Sequence, residues 1–375
     1  NNLLISMARI FRDKLSEEEL ITRSGGDVFY LLMSWNGRDV MTKRLMRMFY
    51  LIEENFRFNH NKAMYRLAFK AGVYEIPDNA ENPSLAADKA RYINRRGDRY
   101  AESTVNYFTE EIKNLIDREN DIENRMEAAL ENGEFRIYFQ PKYYLETEEI
   151  AGAEALVRWV STPAGTVTPP CDFIPVFERN GFITKLDFHN FKNVCQMIKK
   201  WESMGRVPLP VSVNFSRNHL SNPDFVLTIS EIADKYKVDR KMLEIEITES
   251  AVFDNEELLI DSLNALHDAG FRLSIDDFGT GYSSLNMLKN ISVDVMKMDR
   301  GFFVNSTDES KSRLVISSVT KLAKDLGIST VAEGVETKEL IDFLRELGCD
   351  IVQGYYYSKP MPENELMLLL KNSGS

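Results

Sequence analysis

Cysteine is scarce in this chain: Cys171, Cys195 and Cys349 are far apart and odd in number. They form neither a disulfide framework nor a zinc-ligand spacing, and the expectation is free thiols in a reducing cytosol. No apolar run approaches the roughly 20 residues needed to cross a bilayer, and no signal peptide opens the sequence. Positive charge is also in deficit, with Lys and Arg at 46 against 58 Asp and Glu, a net charge of −12. The field of such a chain repels phosphate, which excludes a nonspecific binder of nucleic acid or anionic membrane. Any phosphate chemistry must then be local, through a metal ion or a few placed Arg and Lys.

What is present is the material of a soluble globular protein: 375 residues, 43% hydrophobic and 28% charged. This is enough for real cores and for two or three domains, and it excludes wholesale disorder. The chain begins Asn1-Asn2 and runs directly into an apolar segment. The expectation is a fragment with an upstream part, located in the cytoplasm as a piece of a longer, sensor-linked protein.

Before about residue 103 the elements alternate irregularly. Residues 3–13 read as a helix, and 20–23 and 28–33 as strands flanking the tight turn Ser24-Gly25-Gly26-Asp27. Residues 39–57 read as an amphipathic helix, 64–75 as a strand, and 84–96 as a helix ending at Gly97. A highly charged stretch over 103–132 reads as one long helix that could connect two domains.

From residue 135 the pattern becomes regular. Short β-rich runs at 135–140, 150–157, 209–215, 242–248, 271–275, 293–298, 328–332 and 350–353 are separated mostly by helical segments, such as 172–204, 223–236, 255–269, 309–326 and 336–347. Eight strands alternating with helices predict an α/β fold, a (β/α)8 TIM-like barrel. An open doubly wound sheet is the second choice, but no glycine-rich fingerprint follows its first strand.

In a barrel of this kind the site lies at the C-terminal ends of the strands. Those ends carry Gln140, Glu154, Asn214, Glu246, Asp276-Asp277, Lys297, Glu333 and Gln353. Glu154 and Glu246 interrupt otherwise apolar runs, and a buried carboxylate is costly unless paired or metal-bound. Five carboxylates against one Lys predict divalent cations. All donors are oxygens, which favours Mg²⁺ or Mn²⁺, leaves Ca²⁺ open and disfavours zinc. Asp276 could bridge two ions, the arrangement that hydrolyses phosphodiesters. Lys297 could hold or deprotonate the attacking water, or neutralise the transition state.

At these residues the sequence resembles the EAL-domain family of cyclic di-GMP phosphodiesterases. Residues 154–159 (EALVRW) carry the signature, and the match runs over about 122–370. It includes FQPK at 139–142, VNFS at 213–216, EITES at 246–250, DDFGTGYSSL at 276–285, KMD at 297–299, AEGVE at 332–336 and QGYYYSKP at 353–360. The resemblance implies a barrel with one strand running against the others, and hydrolysis of cyclic di-GMP to linear pGpG with Mg²⁺ or Mn²⁺ at a two-metal site. It implies metal ligands Glu154, Asn214, Glu246, Asp276, Asp277 and Glu333. It implies that Lys297 and Gln353 hold the catalytic and metal-bound waters, that Arg158 reaches a substrate phosphate, and that Gln140 is a further substrate contact. Loop 277–285 would couple the site to a homodimer through the barrel domain, with Glu249 anchoring it. No nucleic-acid polymer and no membrane contact is expected. Lys142, where the family often has an aliphatic residue, and KMD for the commoner KID are departures expected to touch no metal ligand.

Residues 1–102 resemble a degenerate, N-terminally truncated GGDEF domain, a smaller α+β, nucleotide-cyclase-like unit joined by a helix at 103–121 to the EAL domain at 122–375. RSGGDVF at 23–29 matches its hairpin and 86–99 its later helix. Val28 stands where active cyclases carry a metal-binding acid, and the strand and helix that normally precede the motif are absent. The inhibitory Arg-x-x-Asp would fall at Ser16–Glu19, without its Arg. The resemblance therefore implies no cyclase activity, and a role in regulation or packing. A cyclic di-GMP receptor without catalysis is the competing function, and the complete acid set argues against it.

Overall fold

A computed structural model describes residues 2–59, 67–77, 82–95, 102–162, 165–206, 209–248, 256–279, 291–304 and 309–373. The chain divides into two compact units, Asn1–Arg118 and Glu119–Ser375.

In the first unit, β1 (Leu20–Gly25) and β2 (Val28–Leu32) form the expected antiparallel hairpin. Gly26 turns it at φ 54°, a left-handed conformation that glycine adopts without strain. Helices α1 (Asn2–Lys14) and α2 (Arg38–Asn59) supply the core, with Met7 and Phe11 of one buried with Met41, Leu45, Met48, Phe49 and Ile52 of the other. Strand β3 (Lys70–Val73) pairs in parallel with β4 (Thr104–Tyr107), and α3 (Pro83–Arg95) lies on β3. That approach is close: a Cβ on Gly72 would fall 1.9 Å from the Ala90 carbonyl oxygen. Strand β4 corrects the sequence reading, which ran a helix from 103. The β-branched and aromatic residues of Thr-Val-Asn-Tyr take the extended form, and helix α4 begins only at Glu110 and runs to Glu131. The division between the units falls within α4.

The second unit is a closed barrel. Its strands are β5 (Phe135–Tyr144), β6 (Ile150–Val160), β8 (Val211–Asn214), β9 (Leu243–Thr248), β10 (Arg272–Phe278), β11 (Val295–Met298), β12 (Ser329–Ala332) and β13 (Ile351–Val352). Strands β6 and β8 to β13 pair in parallel in that order. Strand β5 closes the ring antiparallel to both β6 and β13. Short strands β7 (Val167–Thr168) and β14 (Met361–Pro362) extend it at β6 and β5. This is the predicted eight-stranded barrel with one strand reversed.

Helices α5 (Pro170–Asn180), α6 (Ile183–Ser203), α7 (Phe225–Tyr236), α8 (Glu256–Asp268), α9 (Gly301–Val304), α10 (Glu309–Asp325), α11 (Lys338–Glu346) and α12 (Glu363–Ser373) complete the described α-helices. The sequence reading of one helix over 172–204 is corrected by a break at Gly181, which sits at φ 82°. Strand side chains alternate. Leu243, Ile245 and Ile247, with Leu273 and Ile275, pack into an apolar core that also holds Phe191, Val194, Ile198 and Trp201 of α6. Glu244, Glu246, Ser274 and Asp276 occupy the other face, toward the barrel axis. The main core thus lies between the strands and the helices, and the axis is left to polar groups.

Candidate active site

Every strand-end residue singled out from the sequence lies at one end of the barrel; Glu249, expected to anchor the loop, falls outside the described residues. So does most of loop 277–285, from residue 280 onward. Glu154 on β6, Glu246 on β9 and Lys297 on β11 are buried. Asn214 ends β8, Glu333 follows β12 and Gln353 follows β13.

Lys297 is the hub. Its Nζ lies 2.7 Å from Glu333 Oε1, 2.9 Å from Glu246 Oε2, 3.1 Å from Asp276 Oδ1 and 3.5 Å from Glu154 Oε2. These partners come from or just beyond four different strands, so the ammonium can reach all of them only from inside the ring. Asn214 Nδ2 donates to Glu154 Oε1 at 2.7 Å. Gln353 Nε2 donates to Glu154 Oε2 at 2.6 Å and to Gln140 Oε1 at 3.1 Å. Gln140 in turn donates to the Ser358 carbonyl at 3.2 Å.

The adjacent acids Asp276 and Asp277 sit where the pairing of β10 with β11 slips between Ile275 and Phe278. Asp277 takes φ 56°, strained for a non-glycine residue. The bulge breaks the alternation that would otherwise send neighbouring side chains to opposite faces. As a result, one carboxylate oxygen from each of Asp276, Asp277 and Glu333 lies within 4.8 Å of the others.

Burial and charge act on these groups in opposite directions. Burial and the neighbouring Glu246 raise the Glu154 carboxyl above its usual range, against Lys297 and Lys142. Burial likewise pushes Glu333 up to about 8, although Lys297 opposes it. Burial would raise Glu246 too, but Lys142 and Lys297 outweigh it and hold that carboxylate well below the usual range. Lys297 is driven well above the ordinary lysine value by Glu154, Glu246, Glu333 and Asp276, despite its burial.

The donor set fits hard divalent cations. The acids present oxygen only, Lys297 already shows that a cation is held among four of them, and Gln353 Oε1 is buried without a hydrogen-bond partner.

Arg158 lies four residues beyond Glu154 on β6, on the same face by alternation. It donates to the Val157 carbonyl at 2.9 Å and its guanidinium lies 5.9 Å from the centre of the Tyr138 ring. No ion pair to it occurs among the described residues.

One sequence reading is overturned here. Lys142 was expected to leave the metal ligands untouched and Lys297 to be the one lysine among the acids. In fact Lys142 Nζ lies 2.9 Å from Glu246 Oε1 and 2.9 Å from Glu244 Oε1. Alternation gives only the face, with Lys142 two residues from Gln140 on one strand and Glu244 two from Glu246 on another; the contact across the barrel needs the fold.

The EAL domain family profile matches residues 123–360. The oxygen sensor protein DosP of Escherichia coli (strain K12) is 27% identical over 365 residues, which is 97% of this chain and 45% of that protein. The bifunctional diguanylate cyclase/cyclic di-GMP phosphodiesterase MucR of Pseudomonas aeruginosa is 28% identical over 372 residues, 97% of this chain and 53% of that protein. The chain thus spans about half the length of the curated relatives it matches. Among solved structures, a PaMucR phosphodiesterase in complex with c-di-GMP superposes with a TM-score of 0.62 at 30% identity, covering 66% of this chain and 99% of that one. With a family match over more than half its residues and a barrel of the same form, this chain belongs to the EAL-domain family.

Proposed function

We propose that this chain is a metal-dependent phosphodiesterase that hydrolyses cyclic di-GMP to linear pGpG. The observation that carries the proposal is the Lys297 ammonium held by four carboxylates at the barrel mouth, beside the three converging oxygens of Asp276, Asp277 and Glu333. A pure receptor needs no such concentration of acid. The relatives support the substrate, since one of their solved structures is a complex with c-di-GMP.

Glu154, Asn214, Glu246, Asp276, Asp277 and Glu333 would hold two cations, Mg²⁺ or Mn²⁺. The five carboxylates against Lys297 leave four negative charges when all are ionised, which two divalent ions offset, while Lys142 is balanced by Glu244. Bound there, the cations would lower the pKa of water and neutralise charge on the phosphoryl oxygens. Arg158, extending from β6 on the face of Glu154, binds a substrate phosphate. Gln140 and Gln353, joined by a hydrogen bond, orient polar groups beside Glu154. Lys297 holds the attacking water or neutralises the transition state, roles that suit an ammonium already engaged by acids better than proton abstraction does. Water oxygen bonds to phosphorus, the bond from phosphorus to one 3′ oxygen breaks, and that oxygen takes up a proton. The linear product keeps its 5′ phosphate.

The first unit is assigned as a degenerate GGDEF domain without cyclase activity, because Val28 offers no oxygen to a metal. A homodimer through the barrel and a cytoplasmic location complete the assignment. Among the described residues no helix is long and apolar enough to cross a membrane.

The test is incubation of the chain with cyclic di-GMP and Mg²⁺ or Mn²⁺, against a chelated control, with pGpG followed by chromatography. Metal-dependent pGpG is expected. Saturable substrate binding without product would replace the hydrolase with a receptor, and formation of cyclic di-GMP from GTP would overturn the reading of the first unit.

A further inference from the structure

We propose that Lys142 is a positioning residue for the metal ligand Glu246, with Glu244 as its counter-charge, so that the cation affinity of the mouth is set partly from the layer beneath it. The inference rests on the metal-dependent reading of the site.

Lys142 stands on β5 and its two partners on β9, and β6 and β8 lie between those strands in the ring. A contact between them must therefore cross the barrel interior. The register places it below the mouth: Lys142 pairs with Gly152, one step down from the pairing of Gln140 with Glu154. Glu244 pairs with Ser212 and Arg272, one step down from Glu246 with Asn214 and Ser274. The side chains of Lys142, Glu244 and Glu246 are only 6%, 7% and 0% exposed.

The orientation of a Glu carboxylate is soft, because its terminal torsion has broad, two-fold wells. Here both oxygens of Glu246 are fixed. Oε2 meets Lys297 at 2.9 Å and Oε1 meets Lys142 at 2.9 Å. Lys297 shares its charge among three further acids of the mouth, whereas the second partner of Lys142 is Glu244, in the lower layer. The grip of Lys142 on Glu246 is therefore the one that does not depend on how the other mouth acids are engaged. Burying an ammonium here is costly, and an aliphatic pair at 142 and 244 would fill the same space without that cost. Carboxylates that bind metals are commonly held by such outer partners, whose loss weakens metal binding by about 10–100-fold.

The test uses the full chain and Mn²⁺ alone, with free Mn²⁺ measured by electron paramagnetic resonance in the absence of substrate. Lys142→Met by itself leaves Glu246 to Lys297 and Glu244 to Arg272, 3.8 Å away, with one buried charge unbalanced, so the informative variant is Lys142→Met/Glu244→Met. Replacing a buried ion pair by apolar groups of like volume is often neutral or stabilising, and metal-free thermal unfolding at or above the wild-type temperature is expected. The Mn²⁺ concentration for half-occupancy should rise about tenfold or more, and that for half-maximal pGpG formation should rise in parallel. Lys142→Arg, which keeps the charge, should stay nearer wild type. Wild-type Mn²⁺ affinity in the double variant overturns the positioning role, and so does a metal-free unfolding temperature that falls while Mn²⁺ affinity holds. Wild-type protein that binds Mn²⁺ but makes no pGpG overturns the hydrolytic reading instead and leaves the positioning test standing. Wild-type protein that binds no Mn²⁺ overturns both.

Discussion

In the N-terminal unit, two helices bury a wholly apolar seam of Met7, Phe11, Met41, Leu45, Met48, Phe49 and Ile52. Among the described residues a single carboxylate, Glu19, is buried outside it, held by Arg44 and by the backbone amides of Ser16 and Ser34 at 2.8 Å each. In the barrel the places are exchanged. The axis, which a TIM barrel ordinarily fills with branched apolar side chains, holds Lys142, Glu154, Glu244, Glu246 and Lys297. The apolar mass lies outside the strands, against the helices. One unit uses its centre for stability and keeps charge apart from it, while the other keeps stability on its periphery and leaves its centre for chemistry. Substitutions on the barrel axis should therefore cost activity far more than stability, and substitutions outside the strands the reverse.

The largest effect expected is at Glu154. Glu154→Ala removes a proposed cation ligand together with the acceptor for Asn214, Gln353 and Lys297, and pGpG formation should fall below detection while the far-ultraviolet circular dichroism stays that of wild type. Normal turnover in that variant would remove Glu154 from the ligand set. Lys297→Met should lower kcat by about 10²–10³-fold with cyclic di-GMP binding still measurable by calorimetry, and an unchanged kcat would break the central role given to this lysine. Outside the strands the opposite response should appear. Phe177 is fully buried with Phe135, Trp159, Phe173 and Phe182, and Phe177→Ala should cost about 3–4 kcal/mol in urea unfolding. Turnover at low temperature should survive it, and loss of turnover without loss of stability would contradict the separation.

The smallest effect belongs to the first unit. Hydrogen bonds from Arg44, Ser16 and Ser34 hold the Glu19 carboxyl down at about 2, against 4.5 for a free side chain. Because the folded value is the lower one, the stabilisation is complete above about pH 4.5 and is lost as pH falls toward 2. Glu19→Gln should cost about 2 kcal/mol at neutral pH, visible as faster amide exchange over 38–59, and the gap to wild type should close with acidification. A gap independent of pH would mean that shape, and not charge, is what Glu19 supplies.

Much of this arrangement is written locally in the chain. Leu-Glu-Ile-Glu-Ile alternates, so a strand with one acidic face can be read at 243–247, and the Gly25-Gly26 turn announces its hairpin. Carboxylates set inside apolar runs mark the site because nothing else justifies the cost of burying them. What could not be read depends on neighbours distant in sequence. Thr104–Tyr107 adjoins a charged helix, and only pairing with Lys70–Val73 makes it a strand. The break at Gly181 lies within a continuous helical pattern, and one left-handed residue decides it. Lys142 reads locally as a harmless departure, because its meaning arises across the barrel, between strands that are not adjacent in the sheet.

The reversed strand β5 has a consequence for the order of assembly. It is the first barrel strand to leave the ribosome, and its second edge is satisfied only from the C-terminal end of the chain, by β13 through Tyr143 with Val352 and Tyr144 with Ile351 and by β14 through Phe139 with Met361 and Tyr138 with Pro362. The same strand carries Gln140 to the mouth and Lys142 to Glu246. Closing the ring and completing the site are therefore one event. A nascent chain stalled before residue 350 has an open edge and no Gln353 to meet Gln140, so the proposed site is complete only when the barrel is whole.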